Sequence, residues 1–176
     1  MIFDEYLIKS RISRQPRSDG NPGCDTRGVV ANPKAFRMAI DALAQNFIES
    51  PVTHIASIES RGFLFAAPLA YTLGLPLVLI RKRNDQSGDL EEPLGSQHSL
   101  YLAEDELGSD ARVLLFDDAV VSGQTLCAAS TLIHRAGATV TETATLVTLS
   151  GAGGIQLLDR MEMSLYSLVS FDAGAA

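Results

Sequence analysis

The chain has 176 residues, 46% of them apolar and 20% charged, a size and mixture suited to one domain over residues 1–176 with a core of its own. Its net charge of -7 lacks the basic face that a nucleic-acid or membrane-surface binder needs, so an anionic ligand would have to be captured locally, by a built site. No apolar run reaches membrane-spanning length.

The first residues, MIFDEYLIKSRISR, place acids before bases around a short apolar pattern, which reads as a helix over Asp4 to Ile12 and as neither leader nor anchor. The RQPRSDGNPG stretch that follows is crowded with turn formers and reads as a loop. Cys24 and Cys127 have no metal-ligand spacing and read as reduced thiols, which suits a cytoplasmic protein. From Asn32, a fitting N-cap, and Pro33, at the first helical position, Phe36, Met38, Ala39, Ile40, Leu43 and Phe47 trace an amphipathic helix that ends near Ser50-Pro51.

Strand-like and helix-like segments then alternate: His54 to Ile58, Gly62 to Leu73, and Leu77 to Ile80, punctuated by Gly74 and Pro76. Alternation of this kind predicts an α/β fold with a mainly parallel sheet flanked by helices. Arg81 to Ser99 is polar, has no sustained period, and reads as a long loop of the functional sort. Val113 to Phe116 predicts a buried strand, Asp117 to Arg135 a turn and helix, and Thr139 to Thr148 another strand. A turn at Gly151 to Gly154, a short helix over Ile155 to Arg160 and a last strand over Leu165 to Val169 complete the pattern.

The segment VLLFDDAVVSGQT, residues 113–125, carries the most chemistry. In an open parallel sheet, ligands gather beyond the carboxyl ends of the strands. Backbone N–H groups from Val121 to Thr125 can form an anion-binding concavity at a helix N-terminus, with hydroxyls from Ser122 and Thr125 and close approach at Gly123. Asp117 and Asp118, just past the strand, are acceptors suited to ribose hydroxyls or to a hydrated Mg2+. Alone, these residues also fit solvated loop acids and an ordinary helix cap; strand, paired acids, loop and helix in that order favour a phosphate.

This segment resembles the signature of the type I phosphoribosyltransferases, in which two acids hold the ribose hydroxyls of phosphoribosyl pyrophosphate (PRPP) and the loop holds its 5-phosphate. The resemblance implies that role for Asp117, Asp118, Ala119, Val120, Val121, Ser122, Gly123, Gln124 and Thr125. Ser122 replaces the usual Thr, and Gln124 stands where the adenine-specific branch usually has Gly. Residues 58–69, IESRGFLFAAPL, are similar to that branch's pyrophosphate loop, which implies that Arg61 meets pyrophosphate while Glu59, Ser60 and Gly62 shape the turn. A cation beside a helix N-terminus is electrostatically awkward unless an anion binds there. Arg81 and Lys82 resemble the basic entry to the catalytic hood, and the stretch from Ser150 to Phe171 resembles the branch's closing turn, helix and strand.

Several positions depart from the branch. Its base clamp reads Phe-Arg-Asp after Pro-Gly, whereas Pro22-Gly23 is followed by Cys24-Asp25-Thr26-Arg27-Gly28, with Arg27 matching the arginine and no aromatic present. The hood is shortened: Asn84 to Asp89 replaces a Gly-Lys-Leu-Pro stretch, and Pro93-Leu94 before Gly95-Ser96 replaces a Glu-Tyr pair that sits over the reacting centre. Glu91 and Glu92 read as exposed loop acids, and His54, His98 and His134 as ordinary surface or strand residues.

The resemblance therefore implies a type I phosphoribosyltransferase fold, with residues 1–31 as N-terminal helix and clamp and 81–99 as hood. The family reaction converts adenine and Mg-PRPP to AMP and pyrophosphate in purine salvage, with Mg2+ carried by the substrate and a homodimer as the usual assembly. The retained phosphate and ribose positions predict binding of AMP or PRPP. The altered clamp and hood predict weakened transfer, a regulator that binds nucleotide or sugar phosphate, or a different purine such as hypoxanthine or xanthine.

Overall fold

The computed structural model describes residues 3–16, 22–83, 89–95 and 98–173. Helix α1 is Glu5–Lys9, capped by the Asp4 carboxylate on the Leu7 N–H, and is shorter than its sequence pattern predicts. Strands β1 (Ser13–Arg14) and β2 (Cys24–Asp25) form a small antiparallel ladder, and the one-turn helix α2 (Arg27–Val30) leads into α3 (Pro33–Phe47). Asn32 caps α3 by accepting from the Ala35 N–H, with Pro33 in the first turn, as the sequence predicts.

Strand β3 (His54–Ile58), helix α4 (Arg61–Leu73) and strand β4 (Leu77–Ile80) follow, with Gly74 ending α4 in the left-handed region at φ 66°. Strands β5 (Leu90–Leu94) and β6 (His98–Leu102) pair antiparallel as a hairpin. Then come β7 (Arg112–Val120), α5 (Gln124–Arg135), β8 (Thr139–Ser150), α6 (Gly154–Arg160) and β9 (Leu165–Asp172).

Five strands make one all-parallel sheet in the order β4-β3-β7-β8-β9. Its two faces bury separate cores. Ile55, Leu114 and Phe116 join α1, α3 and α4 on one side; Ala56, Ile58, Val113 and Leu115 join α5, Leu158 of α6 and Leu100 and Leu102 of β6 on the other. Side chains of β7 alternate between these cores, which is why its stretch from Val113 to Phe116 is apolar without a break. From β3 the chain proceeds outward to β4, and from β7 it proceeds the other way to β8 and β9. The crevice between the carboxyl ends of β3 and β7 is thus the switch point where ligands bind in sheets of this kind.

Two expectations are corrected. The segment 81–99 is not a structureless loop: Leu90, Leu94, Leu100 and Leu102 bring the β5–β6 hairpin onto the core beside α5. Pro93 is tolerated because β5 is the edge strand of the hairpin, paired on the β6 side alone among the described strands. Strand β7 does not stop at Phe116. Its ladder with β8 continues through Asp117 opposite Thr145, Ala119 opposite Val147 and Val120 opposite Thr148, so both acids lie within the strand. Of the residues replacing the usual hood motif, 84–88 lie outside the described residues, as does Ser96.

Candidate active site

A cleft of about 710 Å³ opens at that switch point, between the N-terminal segment, the starts of α4 and α5, and the hairpin. The predicted phosphate loop forms one wall. Val121 to Gly123 link β7 to α5, and Gly123 occupies the N-cap at φ 75°, its carbonyl accepting from the Cys127 N–H. Ala119, Val121 and Thr125 line the cleft; Ser122 and Gln124 are exposed, and Val120 is buried in the core below. The fold gives position 123 its own need for glycine. Its backbone is left-handed, and a β-carbon there would meet the Gly154 carbonyl oxygen of α6 at 2.9 Å.

Asp117 and Asp118 stand side by side, and their environments differ. The Asp117 carboxylate accepts from the Asp118 N–H at 2.9 Å, and burial together with the neighbouring Asp118 charge pushes its pKa up to about 8. Lys82 and Arg61 act in the opposite direction on Asp117. Asp118 accepts a 2.6 Å hydrogen bond from the Thr26 hydroxyl and faces the Arg61 Nε at 3.4 Å. Gly62 makes this packing feasible: a β-carbon at its position would lie 2.7 Å from the Ser57 hydroxyl and 3.2 Å from the Asp117 carboxylate.

The predicted pyrophosphate turn lies opposite. Glu59, Ser60 and Arg61 line the cleft, and the Glu59–Ser60 peptide bond is cis. Arg61 donates to the Cys24 carbonyl at 3.0 Å and lies 3.7 Å from Asp25. The Glu59 carboxylate accepts from the Lys82 N–H at 2.8 Å, which sets Lys82 at the mouth. Arg27 also lines the cleft. It grips Asp25 with two guanidinium nitrogens, and those hydrogen bonds hold the Asp25 carboxyl down at about 2. Arg81 is placed differently from its predicted partner Lys82: it does not line the cleft, and its guanidinium meets Asp89 at 2.8 Å.

The hairpin contributes Leu94 and His98, cross-strand partners that both line the cleft. Glu91 and Glu92 do not line it. Glu91 accepts from the Tyr101 hydroxyl, and Glu92 meets Arg135 of α5, which also donates to the Glu91 carbonyl. Among the described residues, no Phe, Tyr or Trp lines the cleft; the one aromatic ring there is the His98 imidazole. Sequence reasoning missed Thr26, which stands between Asp25 and Arg27 in the altered clamp and gives no local sign that its hydroxyl reaches Asp118. It also missed the cleft position of His98, which only the hairpin register reveals.

Residues 28–162 match the phosphoribosyl transferase domain family. Over its length the chain is similar to the adenine phosphoribosyltransferase of Pseudomonas aeruginosa strain LESB58, with 37% identity covering 97% of each chain. It is also similar to that of a Marinomonas species, with 35% identity covering 98% of this chain and 99% of the relative. Among solved structures, the adenine phosphoribosyltransferase of Thermoanaerobacter pseudethanolicus superposes with a TM-score of 0.86 at 32% identity, covering 94% of this chain and 98% of the other. That of Rhodothermus marinus gives 0.84 at 29% identity, with 94% and 97% covered.

Proposed function

The chain belongs to the type I phosphoribosyltransferase family, in its adenine phosphoribosyltransferase branch, and from that premise we propose that it binds AMP and Mg-PRPP in the cleft and transfers phosphoribosyl groups slowly. The observation that carries this reading is the composition of the cleft. A phosphate loop, two adjacent acids and Arg61 converge on it, while among the described residues no Phe, Tyr or Trp and no hood carboxylate lines it.

The 5-phosphate sits on the amides of Val121 to Thr125, at the positive end of α5. The ribose hydroxyls face Asp117 and Asp118, and pyrophosphate lies toward the turn at Glu59 to Gly62, where Arg61 and Lys82 supply positive charge. As the bond from ribose to pyrophosphate breaks, positive charge develops on the sugar and negative charge on the leaving group. Residues fixed in place before reaction stabilise both at no cost in reorganisation. Magnesium would suit the hard carboxylate oxygens of Asp117 and Asp118, and the half-buried Asp117 carboxyl, whose pKa is raised by burial and by Asp118, would be favoured in its ionised form by a nearby cation. Carried in with PRPP, it neutralises charge on pyrophosphate. Arg81, one residue before Lys82, meets Asp89 with its guanidinium.

Binding and rate separate for a physical reason. Phosphate affinity comes from donors arranged in the ground state, whereas rate comes from interactions that strengthen in the transition state. Thr26, turned inward to Asp118, gives a base no ring to stack on, and Leu94 with His98 provides neither the carboxylate nor the phenol of the branch's hood. The same composition supports a second reading, a nucleotide-binding regulator that performs no transfer; a different purine is a third. We also propose a cytoplasmic homodimer, the first from the reduced cysteines and the second from the family.

The test pairs calorimetry using AMP and Mg-PRPP with a radiolabelled assay offering adenine, hypoxanthine, guanine and xanthine in turn. Binding with slow transfer to one base is expected. Turnover within the ordinary range of about 1 to 1,000 per second overturns the weakened-transfer reading, and absence of binding overturns the ligand assignment.

A further inference from the structure

The phosphate loop is short, and its position is set from outside. One end is fixed by the β7–β8 ladder at Val120 and Thr148, the other by the first turn of α5, where the Cys127 N–H reaches the Gly123 carbonyl. Against its middle lies Gly154, the buried first residue of α6, which belongs to the distant turn after β8. A β-carbon on Gly154 would stand 2.3 Å from the Val121 carbonyl oxygen, 2.9 Å from the carbon of that carbonyl and 3.1 Å from the Gly123 nitrogen. The contact is reciprocal. A β-carbon on Gly123 would meet the Gly154 carbonyl oxygen at 2.9 Å and the Leu158 Cγ at 3.4 Å. All of these except Leu158 are backbone atoms, so no side-chain rotation relieves the collision.

We propose that Gly154 is a positioning residue for the anion-binding loop: its missing side chain lets α6 seat directly on Val121 and Gly123 and so fixes where the loop amides point. The inference rests on the assignment of Val121 to Thr125 to a 5-phosphate. It adds that the loop's geometry is held by a second element, outside the strand-loop-helix segment that carries the signature. The loop amides hold phosphate by charge-assisted hydrogen bonds, and losing one through a displaced loop costs about ten- to hundredfold in affinity.

The adjacent Gly153 provides the control. Its φ of 87° makes any side chain strained, yet nothing lies within 4 Å of its would-be β-carbon. Gly153→Ala therefore strains the same turn without touching the loop, whereas Gly154→Ala drives a methyl group into Val121. The experiment uses the full chain and measures thermal midpoints, then titrates AMP, ribose 5-phosphate and adenosine calorimetrically into wild type and both variants.

Gly154→Ala is expected to weaken AMP and ribose 5-phosphate by about ten- to hundredfold and to lower the ratio of AMP to adenosine affinity. Gly153→Ala is expected to keep both within about threefold of wild type. If Gly154→Ala fails to fold, Leu158→Val replaces it, because Leu158 backs Gly123 from α6. The comparison is Ile133→Val, a buried residue of the same core on α5. A greater loss of ribose 5-phosphate affinity in Leu158→Val than in Ile133→Val supports the role; equal losses overturn it. Unchanged affinity in folded Gly154→Ala, or equal loss in both glycine variants, also overturns it. Failure of wild type to bind AMP or ribose 5-phosphate is a different result, which removes the phosphate assignment itself.

Discussion

Thr26 and Asp118, 92 residues apart in sequence, meet through a 2.6 Å hydrogen bond in the buried wall of the cleft. The hydroxyl lies on the segment between β2 and α2 and the carboxylate on β7, so one contact ties the position of that segment to that of the acid. Thr26→Val preserves shape and removes the donor. Leaving a buried carboxylate oxygen short of a partner costs about 1 to 3 kcal/mol, which is expected as a lower unfolding midpoint in urea. AMP affinity is expected to fall with it, because the freed carboxylate no longer has one orientation. An unchanged midpoint would show that Arg61 alone satisfies Asp118.

Asp118→Asn tests the ribose assignment. Losing a charge-assisted hydrogen bond of about 1.5 to 3 kcal/mol is about a ten- to hundredfold loss for ribose 5-phosphate and AMP. Inorganic phosphate, which has no hydroxyls to offer, is expected to bind as before to the loop at Val121 to Thr125. Competition between the three ligands, followed by calorimetry, reads the difference directly, and equal weakening of all three contradicts the assignment.

The raised pKa of Asp117 gives the site a pH dependence with a defined sign. Burial and the Asp118 charge favour the protonated carboxyl in the folded protein, at about 8. Its contribution to stability is therefore fully present below the ordinary carboxylate range and is lost as pH rises through about 8. Ribose hydroxyls or a magnesium ion favour the ionised form instead. Binding of Mg-PRPP near neutral pH is expected to release a proton, and affinity to rise with pH toward 8. Calorimetry in buffers of different ionisation enthalpy measures the release, which Asp117→Asn should abolish.

The parts of this fold that could be read from sequence are those whose signals are local. Asn32-Pro33 announces α3, and the unbroken apolar run from Val113 announces a strand buried on both faces. The extension of β7 through Asp117 and Asp118 was not legible, because the pairing that continues it comes from Thr145 to Thr148 on β8. Nor was the β5–β6 hairpin: Pro93 and the paired Glu91-Glu92 hide its alternation, and the surface it covers belongs to α5. At the site, Asp117, Asp118 and Arg61 could be named from their motifs. Thr26 and Gly154 could not, since each acts on a residue that sequence places far away.

Arg135 anchors the hairpin, meeting the Glu92 carboxylate at 3.2 Å and the Glu91 carbonyl from the last turn of α5. Arg135→Ala removes this tether without altering any residue that lines the cleft. The pair is half exposed, so its contribution to global stability is expected to be within about 1 kcal/mol. Hydrogen exchange across Leu90 to Leu102 is expected to accelerate much more than exchange in β7 or β8, since local opening is governed by local contacts. Uniform acceleration across the sheet would mean that the hairpin and the domain unfold together.

Arg61→Gln separates the two phosphate subsites. In the folded chain Arg61 joins the Cys24 carbonyl, Asp25 and Asp118, so its removal leaves the acids without their nearest shared cation. Gln retains a donor for the Cys24 carbonyl and limits the structural cost, while the charge proposed to face pyrophosphate is lost. AMP carries a 5-phosphate but no pyrophosphate. The substitution is therefore expected to weaken Mg-PRPP and free pyrophosphate by about ten- to hundredfold, the value of one charge-assisted hydrogen bond, and AMP by much less. Lys82→Gln is expected to act in the same direction with a smaller effect, because its ammonium sits at the mouth and is more hydrated. Parallel titrations of AMP, pyrophosphate and Mg-PRPP into both variants decide the matter. If Arg61→Gln weakens AMP as much as Mg-PRPP, the arginine acts through Asp118 on the ribose, and the pyrophosphate subsite must be sought elsewhere along the Glu59 to Gly62 turn.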